Sequence, residues 1–260
     1  MGTVSRTGKR LDKTLLVALG LSALAGVFLW HSWVLYPFKL LVVLMHESGH
    51  AVAALLVGGS VDVIKVSPDE GGVTWSRFNP TLLRQIVVSS AGYLGSTVSG
   101  CVLMFVASRS KEARVPLYAL AVWTGAVAVL WVRDLFTLLF TLGCTAALFV
   151  LGRVDFPAGV RRAVLAFLAS FSVLYALFDI KDDLLHLTSR GGGQSDADAL
   201  ASATFIPAVV WGVAWGALSL VLVAVALKWS LVGRGEAVPA PARPLRSTGM
   251  EKQNLGSRSR

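Results

Sequence analysis

The chain has 260 residues with a formal net charge of +9, 55% hydrophobic residues and only 15% charged ones. A soluble domain of this length carries more charge on its surface. The charges gather in short runs between apolar stretches of bilayer-spanning length, about 20 residues. The basic residues lie at segment ends and tails, with no basic domain to track a phosphate backbone, so nucleic acid is excluded as a partner and a lipid bilayer is expected. Cys101 and Cys144 fall inside apolar stretches and read as small buried hydrophobes, not as a disulfide framework or a zinc ribbon.

In chain order, residues 1–13 form a basic N-terminal tail with Arg6, Lys9, Arg10 and Lys13. The apolar run 14–30 that follows continues through Trp30, which suits an uncleaved helix better than a signal peptide. A second span is expected over 33–59. Beyond it, the near-alternating run Val61–Val66 and then Gly71-Gly72 before Val73-Thr74-Trp75 predict a short strand, a turn and a second strand. Further spans follow at 86–108, 115–132 and 135–152, the last two separated only by Arg133-Asp134, so that they form a tight hairpin or one of them is not a full span. A sixth runs from Ala163 to at least Phe178, residues 190–198 read as a loop, and a seventh covers 204–227. From 233 onward Pro, Ala, Arg and Ser dominate, which predicts a disordered basic C-terminal tail.

The expected fold class is therefore an all-α polytopic membrane protein of about six to seven transmembrane helices. A short β-like hairpin interrupts the transmembrane domain, residues 14–232. The cell membrane is the expected location. Seven spans put the termini on opposite sides, yet both tails are basic, as are the loops 109–114 and 153–162. The positive-inside rule gives no orientation on that count.

The second span carries His46-Glu47-Ser48-Gly49-His50. Histidines four apart on a helix project from one face, one turn above each other, so both imidazoles can reach one metal ion. Glu47, beside the first of them, is positioned to take a proton from water as a general base. Within Leu40–Gly59 the only ionisable residues are these three. Such groups are costly at membrane depth and are functional by default.

Two histidines leave a catalytic zinc one protein ligand short. His31 falls at the junction of the first two spans and His186 follows Asp182 and Asp183, so neither stands inside a span. Asp179 ends the apolar run Ala163–Phe178, and span counting puts it at a depth similar to that of His50, which makes it the preferred third ligand. Asp183, one turn on, is the runner-up. The small residues Ser89-Ser90-Ala91-Gly92 and Gly95-Ser96 at the start of the third span fit close packing against the motif helix.

Together with the β-like segment, the motif helix and Ala91-Gly92-Tyr93-Leu94-Gly95-Ser96 resemble the site-2 proteases, the intramembrane zinc metalloproteases. They are most similar to the short M-fifty-B-like branch of that family, as are Asp179-Ile180-Lys181-Asp182-Asp183 and Ser195-Asp196-Ala197. The resemblance runs from about Leu40 to Leu220. It implies a Zn2+ ion held by His46, His50 and an aspartate from a later helix, with Glu47 activating water. It further implies hydrolysis of a peptide bond in a membrane-anchored protein substrate. The segment Val61–Val66 would receive that substrate as an added strand. Better-known members carry Ala-Gly-Pro and a downstream Asn where this chain has Tyr93 and Ser96, and Gly where Ile180 follows Asp179. The alternatives are a non-catalytic membrane protein with a structural zinc site or a partner-binding role, and an ion or proton transporter using the same side chains.

Overall fold

The computed structural model describes residues 12–185 and 195–231. Eight helices and one hairpin appear among them. They are α1 (Lys13–Phe28), α2 (Tyr36–Leu56), β1 (Ser60–Val66), β2 (Gly72–Arg77), α3 (Leu82–Arg109), α4 (Arg114–Leu130), α5 (Leu135–Arg153), α6 (Ala158–Leu185), α7 (Asp196–Thr204) and α8 (Ala208–Leu231). Five helices are long and apolar enough to cross a membrane: α2, α3, α5, α8 and the 159–181 stretch of α6. The helices α1 and α4 are shorter and apolar. The polytopic, all-α expectation with a small hairpin holds.

The expected strand, turn and strand are present as an antiparallel pair with a bulge between Val61 and Val63. Inside a bilayer, such non-helical backbone persists only where its polar groups are paired within protein. The outer edge of β1 is paired by Trp131, at the end of α4, and Thr137, in the first turn of α5. Ile64 N–H donates to Trp131 C=O at 3.0 Å, and Val66 N–H donates to Thr137 Oγ1 at 3.0 Å. The turn is held by α2: Tyr36 O–H donates to Pro68 C=O at 2.8 Å, and Lys39 Nζ lies 3.0 Å from both carboxylate oxygens of Glu70. Lys39 is only 3% exposed, so this ion pair is what makes its burial tolerable.

The centre of the bundle is α2, α3 and α6. Phe38 packs on Phe167 and Phe171 near the start of α2, while His46 lies beside Asp179 further along, so α2 runs parallel to α6. Asp12 pairs with Arg162, and Trp30, just past the end of α1, stacks on Tyr175, so α1 is parallel to α6 as well. The chain therefore doubles back through 29–35 and resumes the same direction. This corrects the count that put the termini on opposite sides: Asp12 N–H donates to Leu231 C=O at 3.0 Å, so the two described ends meet on one face.

Two other expectations change. The seventh span is present as α8 but begins at Ala208, not Thr204, because Phe205 adopts a left-handed φ of 60° and closes α7 before Pro207 leads into α8. Residues 195–198, read as loop, are instead the capped start of α7. The expected tail disorder falls on residues outside those described.

Glycines bring α2 and α3 into backbone contact. A Cβ at Gly49 would overlap the carbonyl of Ala91, and one at Gly95 would come 3.0 Å from Gly49 Cα. Overpacking of this kind costs about 1–3 kcal/mol. Gly49→Ala is therefore expected to lower thermal stability in detergent by that order, whereas Gly143→Ala, with nothing within 4 Å, should leave it unchanged or raised.

Candidate metal centre

Midway along α2, His46 and His50 turn their Nε2 atoms toward each other, 3.1 Å apart. Asp196 Oδ2 lies 3.1 Å from each of them. Three donor atoms thus form an equilateral triangle. A tetrahedral zinc with bonds of about 2.0–2.2 Å needs donor separations of roughly 3.3–3.5 Å, so the triangle fits such an ion after a small opening. The donor chemistry points the same way. His50 Nδ1–H donates to Val88 C=O at 2.8 Å, which fixes the tautomer and turns the Nε2 lone pair inward.

The surrounding sequence explains how these groups meet. Gly92 on α3 supplies the space, since a Cβ there would overlap the Nε2 atoms of both histidines. Tyr93 packs edge-on against His46 with centroids 4.7 Å apart and stacks on Trp215, whose Nε1–H donates to Ser90 Oγ at 3.0 Å. Asp196 is the first residue of α7. Ser195 caps that helix by accepting from Asp198 N–H at 3.2 Å, and Asp198 Oδ2 accepts in return from Ser195 N–H at 3.2 Å. A carboxylate at a helix start meets unpaired N–H groups and the positive end of the dipole.

Glu47 is buried on the hairpin side of α2. Its Oε2 accepts a hydrogen bond from Thr74 Oγ1 of β2 at 2.7 Å, and the same hydroxyl lies 2.9 Å from Glu47 C=O. A Cβ at Gly72 would overlap the Glu47 carboxylate, so the bare backbone of β2 is what admits it.

Of the residues singled out from sequence, His46, Glu47 and His50 come together here. Asp179 Oδ2 stands 4.0 Å from His46 Nδ1, the nitrogen facing away from the triangle. The Asp183 side chain and His186 lie outside the described residues. His31 sits in the turn after α1 and takes no part. Two residues were missed as site residues. In the sequence Asp196 stands out only within the family resemblance, in a stretch that reads as loop, although Ser195-x-x-Asp198 is a capping signature that marks a helix start. For Thr74, a hydroxyl in the strand after Gly71-Gly72 was the available signal.

Gly92→Ala replaces no ligand residue, yet its Cβ would intrude on the Nε2 atoms of both imidazoles. It is expected to lower zinc content per chain in metal-replete purified protein, with wild type as reference and helicity unchanged by circular dichroism.

No curated protein and no solved structure matches the chain. The family model described as Peptidase M50B-like matches residues 19–226, a stretch that holds His46, Glu47, His50, Asp179 and Asp196 together. On a match over most of its length, this membrane protein belongs to the Peptidase M50B-like family and, with it, to the site-2 protease family.

Proposed function

We propose that the protein is an intramembrane zinc metalloprotease of the cell membrane that hydrolyses a peptide bond of a membrane-anchored protein substrate. The observation that carries this reading is the triangle of His46 Nε2, His50 Nε2 and Asp196 Oδ2 beside a buried Glu47. His46, His50 and Asp196 would hold the ion. Asp179, preferred from the sequence, is the orienting carboxylate behind His46 in this reading, because it faces the outer ring nitrogen. Zinc, when bound, polarises a scissile carbonyl and lowers the pKa of water.

Glu47 takes the proton of the attacking water and returns it to the departing amine, so one carboxylate serves as base and then acid. Thr74 holds Oε2 and leaves Oε1 for that exchange. Substrate must reach the site extended, since a helix hides its carbonyls. The sequence reading offered Val61–Val66 as the receiving strand, but β1 is bonded to β2 on one side and to Trp131 and Thr137 on the other. The edge that remains among the described residues is that of β2, which also carries Thr74, and it is the better place for strand addition.

Cells expressing wild type should show new protein termini within or beside transmembrane segments by terminus-selective mass spectrometry. These should vanish with Glu47→Gln, while zinc content stays at the wild-type level. The same termini in Glu47→Gln cells, or none in wild-type cells, would refute the reading. A hydrogen bond to a charged group is worth about 1.5–3 kcal/mol. Thr74→Val is therefore expected to lower cleavage roughly ten- to hundredfold, and Thr74→Ser to restore most of it.

A further inference from the structure

The hairpin is fastened to α2 at both ends, and Glu47 lies between the fastenings. One fastening is covalent. Gly58, with a left-handed φ of 82°, and Gly59 turn the chain out of α2 into β1. A Cβ at Gly59 would overlap the carbonyls of Ala54 and Arg77, so the last residue of β2 closes on the same corner. From this corner β1 runs back to the start of α2. There the turn 67–71 meets side chains, Tyr36 O–H on Pro68 C=O and the Lys39 ammonium on both carboxylate oxygens of Glu70. As β2 returns from that turn, Gly72 lies against the Glu47 carboxylate and Thr74 donates to it. The outer side of β1 is held by Trp131 and Thr137, whereas β2 is seated on α2 from the turn.

Three features set the Lys39–Glu70 pair apart from an ordinary surface bridge. Lys39 is buried within α2, and its ammonium also stands 4.5 Å from the centroid of the Trp30 ring, so it is committed to this one position. Glu70 adopts a left-handed φ of 66°, which glycine takes at no steric cost and other residues resist. Backbone geometry alone would favour glycine there, as at Gly71 and Gly72 that follow. The glutamate is accounted for by its side chain, which reaches Lys39. Finally, Lys39 precedes Glu47 by two turns of helix, about 12 Å at roughly 1.5 Å per residue. At that distance the pair acts on Glu47 only through β2.

We propose that Lys39 and Glu70 are positioning residues for Glu47, their ion pair holding the turn end of β2 on α2 and so keeping Gly72 and Thr74 seated on the carboxylate. The proposal rests on the reading of Glu47 as the base of a protease. Without the pair, the turn end of β2 lifts, Thr74 loses its hold on Oε2, and proton transfer slows. The metal donors come from α2 and α7, and Gly92 of α3 makes room for them, so the ion stays bound.

Glu70→Gly separates this role from plain turn formation. It relieves the backbone and removes the anion, so a turn-forming role predicts unchanged or raised cleavage and a positioning role predicts its loss. Because it leaves a buried ammonium unpaired, Lys39→Met combined with Glu70→Gly is the second variant, with both charges removed. In full-length protein with Cys101 and Cys144 changed to Ala, nitroxides at Asp69→Cys on the turn and Leu56→Cys on α2, both exposed positions, report their separation by double electron–electron resonance. Both variants should broaden or shift the wild-type distance distribution, lower the yield of new protein termini at least tenfold and retain zinc. An unchanged distribution, wild-type yields of termini, or loss of zinc together with the termini would overturn the proposal. Absence of termini from wild-type cells would refute the protease reading, while the distances, which need no cleavage, would still decide whether the pair holds the turn.

Discussion

Two imidazole nitrogens and a carboxylate oxygen, each 3.1 Å from the others, are held within a bundle of apolar helices. Inward-facing lone pairs and an anionic oxygen at that separation repel unless a cation or proton lies between them. Away from bulk water that repulsion is strong. Much of the surrounding architecture maintains this arrangement. Gly92 makes room for the rings, Val88 fixes one tautomer, Tyr93 and Trp215 wall one side, and the Ser195–Asp198 box fixes the start of the helix that delivers Asp196.

The hairpin obeys a second membrane constraint, that polar backbone must find partners inside protein. Trp131, at the end of α4, and Thr137, in the first turn of α5, pair the outer edge of β1, and Tyr36 and Lys39 hold the turn. What results is a strand, β2, fixed against α2 with Thr74 on Glu47 and an unpaired outer edge among the described residues. One element thus touches the proposed base and offers the proposed docking edge, which links substrate engagement to the geometry of Glu47.

The sequence was most legible where a local pattern has a single physical meaning. His46 and His50 one turn apart on an apolar helix determine a shared face, and the alternation at Val61–Val66 before Gly71-Gly72 marks a hairpin. Span boundaries were read within a few residues for α3 and α5. Direction was not legible: apolar length counts spans, but only contacts such as Asp12 with Leu231 and Phe38 with Phe167 reveal that α1 and α2 run the same way. Asp196 escaped for a related reason. It stands on a nine-residue helix too short to register as a span, and it reaches the histidines by tertiary packing rather than by depth along a long helix. The depth argument did bring Asp179 to the neighbourhood of His46, on the side away from Asp196.

Zinc content per chain in metal-replete, folded wild type, Asp196→Asn and Asp179→Asn tests the central claim most directly. One zinc in wild type, its loss in Asp196→Asn and its retention in Asp179→Asn is the result expected of a His46, His50 and Asp196 centre. Loss in Asp179→Asn with retention in Asp196→Asn, or no zinc in wild type, would contradict it.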